Sequence, residues 1–402
     1  MKNPLFFQET EVLSNLESPP VESECCGAYE PKVESSCGAG WGPSPEKVQL
    51  GRPSFDQPFV IGLVASATGD VPAVSTQLEL TDYLGSLKVR FSISRMKYTV
   101  DPGLYAVGRP DKDSPVLVTG NYKMSFDHVR RALHGRDAWL LVLDTKGVNV
   151  WCAAGKGAFG TNELVGRINS VELPEIVGHK KVILPQLSGP GIAGYIVKHL
   201  TGFRVIYGPV EARDIPKFLD NGLRATSEMR QKNFPITERV VLIPVEVIQS
   251  IKYVLLVAAL CFLAGGLLHK ANFWVSAVAG AEFGLYASMC AVVGGAMLTP
   301  LLLPWLPGKA FSMKGMAAGF LVFVVLITWW YIVYGHQLSL IQILAYLFII
   351  CSGSSFAGMN FTGCSTYTSL SGVKKEMRIA VPIQIVAAVL GFGAWFGAGF
   401  IS

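Results

Sequence analysis

The sequence predicts an α/β, Rossmann-like domain followed by an all-α transmembrane domain of about five helices. Three observations carry this. Between residues 55 and 245 short apolar runs alternate with amphipathic segments, the pattern of strand–helix units around a mainly parallel sheet. From about residue 246 five apolar segments each approach or exceed the ~20 residues that cross a bilayer core as a helix. Half of the 402 residues are hydrophobic and 16% are charged, with a mean hydropathy of +0.40, which argues against an ordinary soluble protein.

Residues 1–54 form the first region. Pro, Ser, Glu and Gly dominate, so this acidic tail cannot bury enough apolar surface to fold alone and is expected to be disordered. Residues 1–50 carry a charge of −5 although the whole chain stands at +5, so the remainder is strongly basic. No run of Lys and Arg with interleaved aromatics occurs, which argues against nucleic acid. Met1 to Phe7 is apolar only briefly, so no secretory signal peptide is expected. Cys25, Cys26 and Cys37 could capture a soft metal ion through thiolates, or belong to a leader in which they do little. Three thiols at this spacing exclude a four-cysteine iron–sulfur motif.

Residues 55–245 form the α/β domain. Strands are expected at Phe59–Val64, Lys88–Ile93, Pro115–Val118, Trp139–Leu143, Val182–Leu184, Phe203–Tyr207 and Val240–Ile243. Helices are expected at Phe126–Leu133, Asn162–Val171, Ile192–Leu200 and Ile215–Asn221. Ligands of such sheets settle where strand carboxyl ends meet helix N-termini. Three loops qualify: Thr119-Gly120-Asn121-Tyr122, Asn149–Lys156, and Gln186–Gly191. The third opens Gly189-Pro190-Gly191-Ile192-Ala193-Gly194, a G-x-G-x-x-G pattern. Pro190 and the lack of an acid at the end of the next strand argue against a dinucleotide, leaving a glycine loop that approaches another flat cofactor.

The second loop organises the chain: Asn149-Val150-Trp151-Cys152-Ala153-Ala154-Gly155-Lys156. Cys152 stands near the start of a Gly/Ala-rich element, with a cation four residues on. A helix N-terminus and a nearby Lys both favour thiolate, as a metal-binding or nucleophilic cysteine requires. An inert buried cysteine is the other reading.

Residues 246–402 form the membrane domain, with spans expected at about Ile251–Leu268, Phe273–Leu298, Gly315–Tyr334, Leu338–Gly358 and Ile379–Ile401. The second, reaching Pro300, Pro304 and Pro307, is long enough to tilt, to break near Gly294-Gly295, or to run on along the interface. Lys252, Lys309, Lys314, Lys374, Lys375 and Arg378 fall on one side; His269, Lys270 and His336 fall on the other. The positive-inside rule then puts the soluble domain in the cytoplasm and the C-terminus outside a cytoplasmic membrane. Gly280-x-x-x-Gly284 and Gly393-x-x-x-Gly397 offer close-packing faces. Glu282, deep in a span, is either part of a proton or ion path or an acid hydrogen-bonded within the bundle. Of the eight cysteines, Cys261, Cys290, Cys351 and Cys364 lie in or beside apolar segments; this is no disulfide framework and suits a reducing compartment.

The Asn149–Lys156 octapeptide resembles the signature of the HgcA family of mercury-methylating corrinoid proteins, and the resemblance extends in architecture over residues 60–402. Val71–Thr76, Gly120–Asp127 and Leu184–Leu187 are similar to the wider family that includes the large subunit of the corrinoid iron–sulfur protein of acetyl-CoA metabolism. That relative places no cysteine at the position of Cys152. The resemblance implies a corrinoid with Cys152 as lower axial ligand to cobalt and as catalytic residue. Asn149, Val150, Trp151, Ala153, Ala154, Gly155 and Lys156 would present it, and Thr119, Asn121, Gly189 and Gly191 would contact the cofactor. It further implies methyl transfer from cobalt to Hg(II), giving methylmercury, and remethylation from a methyltetrahydrofolate-linked donor. Because this chain lacks cysteines for its own cluster, reduction would come from a small two-cluster [4Fe–4S] ferredoxin, the family's HgcB partner. A role for Cys25 and Cys26 in handling Hg(II) lies outside the motif match.

The function expected is therefore a membrane-anchored, corrinoid-dependent methyltransferase acting on Hg(II). Two alternatives stand beside it: a corrinoid methyl carrier of one-carbon metabolism, and a membrane transport or sensing protein whose soluble domain binds a ligand and in which Glu282 is the key group.

Overall fold

The computed structural model describes residues 52–268, 272–335, 338–361 and 370–401. Cys25, Cys26, Cys37 and Cys364, and the loop residues His269, Lys270 and His336, lie outside the described residues.

The described residues form a seven-stranded sheet: β1 Val60–Ser66, β2 Gly69–Val74, β3 Gly103–Val107, β4 Val116–Gly120, β5 Ala138–Leu143, β6 Lys181–Leu184 and β7 Arg204–Tyr207. The spatial order is β1-β2-β3-β5-β4-β6-β7. Strands β5, β4, β6 and β7 run parallel, while β3 is antiparallel to β5 and β1 to β2. The helices of this region are α1 Leu80–Arg90, α2 Lys123–Ala132, α3 Val150–Lys156, α4 Thr161–Ser170, α5 Leu173–Ile176, α6 Gly194–Thr201 and α7 Ile215–Asp220.

Both faces of the sheet are covered, which explains the unbroken apolar runs of its central strands. Along β5, Trp139, Leu141 and Leu143 enter a core with Leu164 and Ile168 of α4 and Val197 of α6. Ala138, Leu140 and Val142 enter the opposite core with Phe126 of α2 and Phe218 of α7. On that second side a quartet of charges is buried. Lys123 Nζ contacts Asp82 Oδ1 (2.5 Å) and Asp127 Oδ2 (2.9 Å), and Arg130 reaches both carboxylates at 2.7 Å. Arg130 Nη1 also donates to the carbonyls of Ser75 and Gln77, at 2.6 and 3.0 Å, which ties α1, α2 and the end of β2 together.

Two expectations are corrected. Lys88–Ile93 is the end of α1 and the turn after it. Val240–Ile243 is the junction between α8, Ile236–Val240, and α9, Ile243–Leu268. Lys88–Ile93 alternates polar and apolar and Val240–Ile243 is an apolar run of four residues, each too short for period alone to separate strand from helix.

The remaining helices are α10 Phe273–Val292, α11 Thr299–Leu301, α12 Phe311–Tyr334, α13 Leu340–Asn360 and α14 Leu370–Ile401. Among the described residues, five segments are long and apolar enough to cross a membrane. The second runs on as one helix through Gly294-Gly295, widening into a π-turn over Val293–Leu298 rather than breaking, with Thr299 Oγ1 donating to the Gly294 carbonyl at 2.8 Å. Gly280 and Gly284 pack on α9, because a Cβ at either would strike the main chain around Cys261 or Val257. Gly393 and Gly397 face open space, so that stripe is not a packing face among the described residues. Glu282 is exposed on α10.

The sheet region is joined to these helices through α8. Arg239, buried there, donates from Nη1 to the carbonyls of Pro300 and Leu301, each at 2.9 Å.

Candidate functional site

The site is a cleft of about 840 Å³ at the carboxyl ends of parallel strands β4, β6 and β7. Its floor is Leu117, Thr119 and Ile183 of the sheet, and one wall is Ser125, His128 and Ala132 of α2. Asn149, Val150 and Trp151, where α3 begins, form a second edge. Leu187, Pro209 and the segment Val210–Arg213 close the rest.

The short helix α3 is held from both ends. Asn149 is its N-cap, its Oδ1 accepting from Cys152 N at 2.9 Å, and Gly157 ends it in the left-handed conformation with φ of 83°. The approach to it is clamped by Asn121 at the end of β4. Asn121 Oδ1 accepts from Thr145 N (3.0 Å), Thr145 Oγ1 (2.9 Å) and Gly147 N (3.1 Å), while its Nδ2 donates to Asp144 Oδ1 at 3.0 Å. Asn121 thus works as the clamp of the turn that feeds α3.

Cys152 is half-buried on α3 and is not part of the cleft lining, which stops at Trp151. Burial pushes its thiol pKa up, and this outweighs the opposing effects of Lys156, Arg95 and the Asn149 hydrogen bond. Lys156 acts toward the thiolate, as the sequence suggests, and burial opposes it and prevails. Ala153 and Ala154 are core residues, and Gly155 and Lys156 are exposed.

Gly191 sits against α3. A Cβ there would fall 3.0 Å from Ala154 Cα and closer still to the Phe159 carbonyl, so this glycine serves helix packing. Gly189 faces open space, with nothing within 4 Å of an added Cβ. Thr119 lines the cleft, and its buried hydroxyl has no hydrogen-bond partner among the described residues. Buried polar atoms are rarely left so.

Several lining residues carried no sequence signal. Lys232 pairs with Glu211 (2.9 Å) and Glu238 (2.6 Å), all three at the cleft. Burial alone would lower the Lys232 pKa, but hydrogen bonds to Glu238 and Glu211 prevail and raise it. Burial lowers that of His128 against the opposing charge of Asp127. Chain distance hides this group, since Lys232 lies in a polar linker, Glu211 after β7 and Glu238 on α8. No group of three or more metal-binding side chains occurs among the described residues.

Residues 74–219, which contain β3 to β7 and the whole of α3, match the family model described as CO dehydrogenase/acetyl-CoA synthase delta subunit. The chain is also similar to subunit gamma of the acetyl-CoA decarbonylase/synthase complex from several archaea. It is 33% identical to that of Methanopyrus kandleri over 123 residues, covering 30% of this chain and 26% of the relative. It is 35% identical to that of Methanothermobacter thermautotrophicus over 128 residues, covering 31% and 28%. With the Methanocaldococcus jannaschii protein it shares 28% identity over 158 residues, covering 39% and 32%. The chain spans about a quarter to a third of the length of these relatives.

Proposed function

We propose that this chain is a membrane-anchored corrinoid protein that transfers a methyl group to Hg(II), with Cys152 as the cobalt ligand. The observation that carries the reading is the octapeptide Asn149–Lys156 folded as a capped helix, its first residues edging a strand-end cleft. Its resemblance to mercury-methylating corrinoid proteins and the similarity of residues 74–219 to a family of acetyl-CoA-forming complexes support it from separate directions.

The residues fit such a group. The cleft volume of about 840 Å³ suits an extended cofactor. In the cleft, Thr119 offers a hydroxyl that has no partner among the described residues; outside the lining, Gly189 borders open space and Cys152 directly follows the lining residue Trp151 on α3. A cysteine sulfur is a soft ligand of the kind late transition metals accept. When bound, a corrinoid supplies a cobalt atom that carries the methyl group and is remethylated after giving it up.

The chain's own residues do the rest. Cys152 must release its proton to ligate a metal, so binding is coupled to proton release, and Lys156, Arg95 and Asn149 favour the resulting anion. Thr119, Ser125 and Asn149 would hold the polar periphery of the cofactor, while Leu117, Val129 and Ile183 keep water from its buried part. Lys232, held by Glu211 and Glu238, fixes the mouth. The five apolar helices anchor the site to a membrane, with the sheet region cytoplasmic and the C-terminus outside by the charge rule. Electrons would come from a separate two-cluster ferredoxin, the methyl group from a methyltetrahydrofolate-linked donor.

The test is the full chain purified with and without Cys152→Ala. Wild type is expected to carry a corrinoid absorbance that changes in the variant, and the variant is expected to abolish methylmercury formation from Hg(II) in cells. Unchanged methylmercury output overturns the proposal.

A second reading, a methyl carrier of one-carbon metabolism, is favoured by the names of the relatives, each a subunit of an acetyl-CoA decarbonylase/synthase complex. Methyl-loaded protein that leaves Hg(II) untouched but methylates a thiol or metal-bound acceptor would select it.

A further inference from the structure

Helix α1, eleven residues long, is inside out. Its buried side carries Asp82 and Val89, with Tyr98 packed over Gly85. Its outward side carries Leu80, Tyr83, Leu84, Leu87 and, one step past the end, Phe91. All are exposed, Leu80 by 73% and Leu87 by 51%. At ~100° per residue these five fall on one stripe, with Lys88 on one margin and Arg90 on the other. The turn that follows continues the pattern: Ile93 and Met96 are exposed, and exposed Lys97 stands beside them.

A contiguous exposed apolar patch rimmed by cations marks a docking surface. Its neighbour says which. Ser92, next to Phe91, accepts a hydrogen bond from Gln249 Nε2 of α9 at 3.4 Å. Two residues further along α9, Ile251, Tyr253, Leu255 and Leu256 turn exposed apolar side chains outward, and the Lys252 ammonium lies over the Tyr253 ring at 4.8 Å. An aromatic and a lysine at that point of a spanning helix belong to the water–lipid boundary. The C-terminal end of α1 therefore stands within about a turn of the level at which α9 enters the membrane.

We propose that α1 and the turn after it lie in the headgroup layer of the same membrane. The Leu80–Phe91 stripe is turned to the acyl boundary, and the exposed Lys88 and Lys97 are turned to anionic lipid phosphates. Apolar burial and attraction to anionic lipid are the two contributions that hold an interfacial helix. The contact gives the sheet region a second hold on the membrane beyond the Arg239 junction, and so fixes its orientation. This inference is independent of what the cleft binds.

The test uses the full chain in lipid nanodiscs, with a photo-crosslinking residue at Leu87 or, as a control, at exposed Glu175 of α5. Nanodiscs contain phosphatidylcholine alone or with phosphatidylglycerol. Lipid adducts are expected at position 87 and not at 175, with a higher yield when phosphatidylglycerol is present. K88E combined with K97E is expected to remove that gain. Adducts at position 87 to protein, whether a second copy, the chain's own N-terminal region or another polypeptide, overturn the proposal. So does the absence of any adduct. A yield indifferent to headgroup charge overturns the role given to the basic residues.

Discussion

Asn121 and Thr145 are joined by two hydrogen bonds into the same side-chain oxygen, from the Thr145 amide at 3.0 Å and its hydroxyl at 2.9 Å. They close the ends of β4 and β5 on each other, and Gly147 N adds a third donor to that oxygen. The turn leading to α3 is therefore set by one amide side chain. Asn121→Ala strips an acceptor from buried donors, and each donor left unpaired costs about 1–3 kcal/mol. We expect a lowered midpoint for unfolding of the sheet region, read by denaturant titration of its near-ultraviolet circular dichroism, together with weakened corrinoid retention. An unshifted midpoint would contradict the clamp.

The buried quartet gives a pH dependence. Burial acts to raise the Asp82 pKa, but hydrogen bonds from Lys123, the Glu79 amide and Arg130 prevail and hold it below the usual carboxylate range. A carboxylate depressed in the folded state binds fewer protons there than when unfolded. Its contribution is thus complete at neutral pH, above the unfolded value of about 3.9, and is lost as pH falls through the lower folded value. Asp82→Asn leaves Lys123 and Arg130 short of a buried counter-charge, a loss of about 3–5 kcal/mol. The variant should be less stable at neutral pH, and the difference from wild type should shrink in acid. A constant difference from pH 7 to pH 3 would count against this account.

The limits of sequence reasoning fall at identifiable residues. Strands β4, β5 and β6 were legible because both faces are buried, which leaves runs such as Ala138–Leu143 without a polar break, and β7 because Val205–Tyr207 is an apolar run. The spanning helices were legible by length and composition. Helix α1 was misread over Lys88–Ile93, because Lys88-Val89-Arg90-Phe91-Ser92-Ile93 alternates like a strand, and its apolar stripe points away from the core. Strands β2 and β3 were missed: each is short, and β2 holds Asp70 and Pro72. At the site, a helix start beside Cys152 was legible; its Asn149 cap and the state of its thiol were not. Lys156 is near in sequence, but burial is a property of the fold and outweighs it.

That outcome is measurable. With its pKa raised, Cys152 should react slowly with a small alkylating agent at pH 7 and gain rate only above the ordinary thiol range. Lys156→Ala removes the largest of the opposing influences and should move the rate profile to still higher pH. Mass spectrometry of the Cys152 peptide separates it from the other thiols. A profile that moves to lower pH would reverse the assigned sign.

Arg239 offers a test of the junction between the sheet region and the helices. Its Nη1 donates to two carbonyls, Pro300 and Leu301, at the end of the second span. Hydrogen bonds from a charged group contribute about 1.5–3 kcal/mol. Arg239→Gln should therefore raise proteolytic cleavage between residues 225 and 245 in the reconstituted protein. The midpoint for unfolding of the sheet should stay nearly unchanged. Cleavage at the wild-type rate would mean that this contact does not hold the junction.

The two glycines of the loop before α6 separate folding from binding. At Gly191 a Cβ would meet Ala154 and the Phe159 carbonyl, so Gly191→Ala must push the loop away from α3. Overpacking of this kind costs about 1–3 kcal/mol, and stability and corrinoid retention should fall together. At Gly189 a Cβ meets nothing within 4 Å, so Gly189→Ala should leave the unfolding midpoint where it is. Retention then becomes informative. If a corrin plane lies against this loop, the added methyl group occupies its place, and affinity should drop while stability does not. Gly189→Ala with full affinity would move the cofactor off this loop and onto the α2 side of the cleft, where Thr119 and Ser125 would remain to hold it.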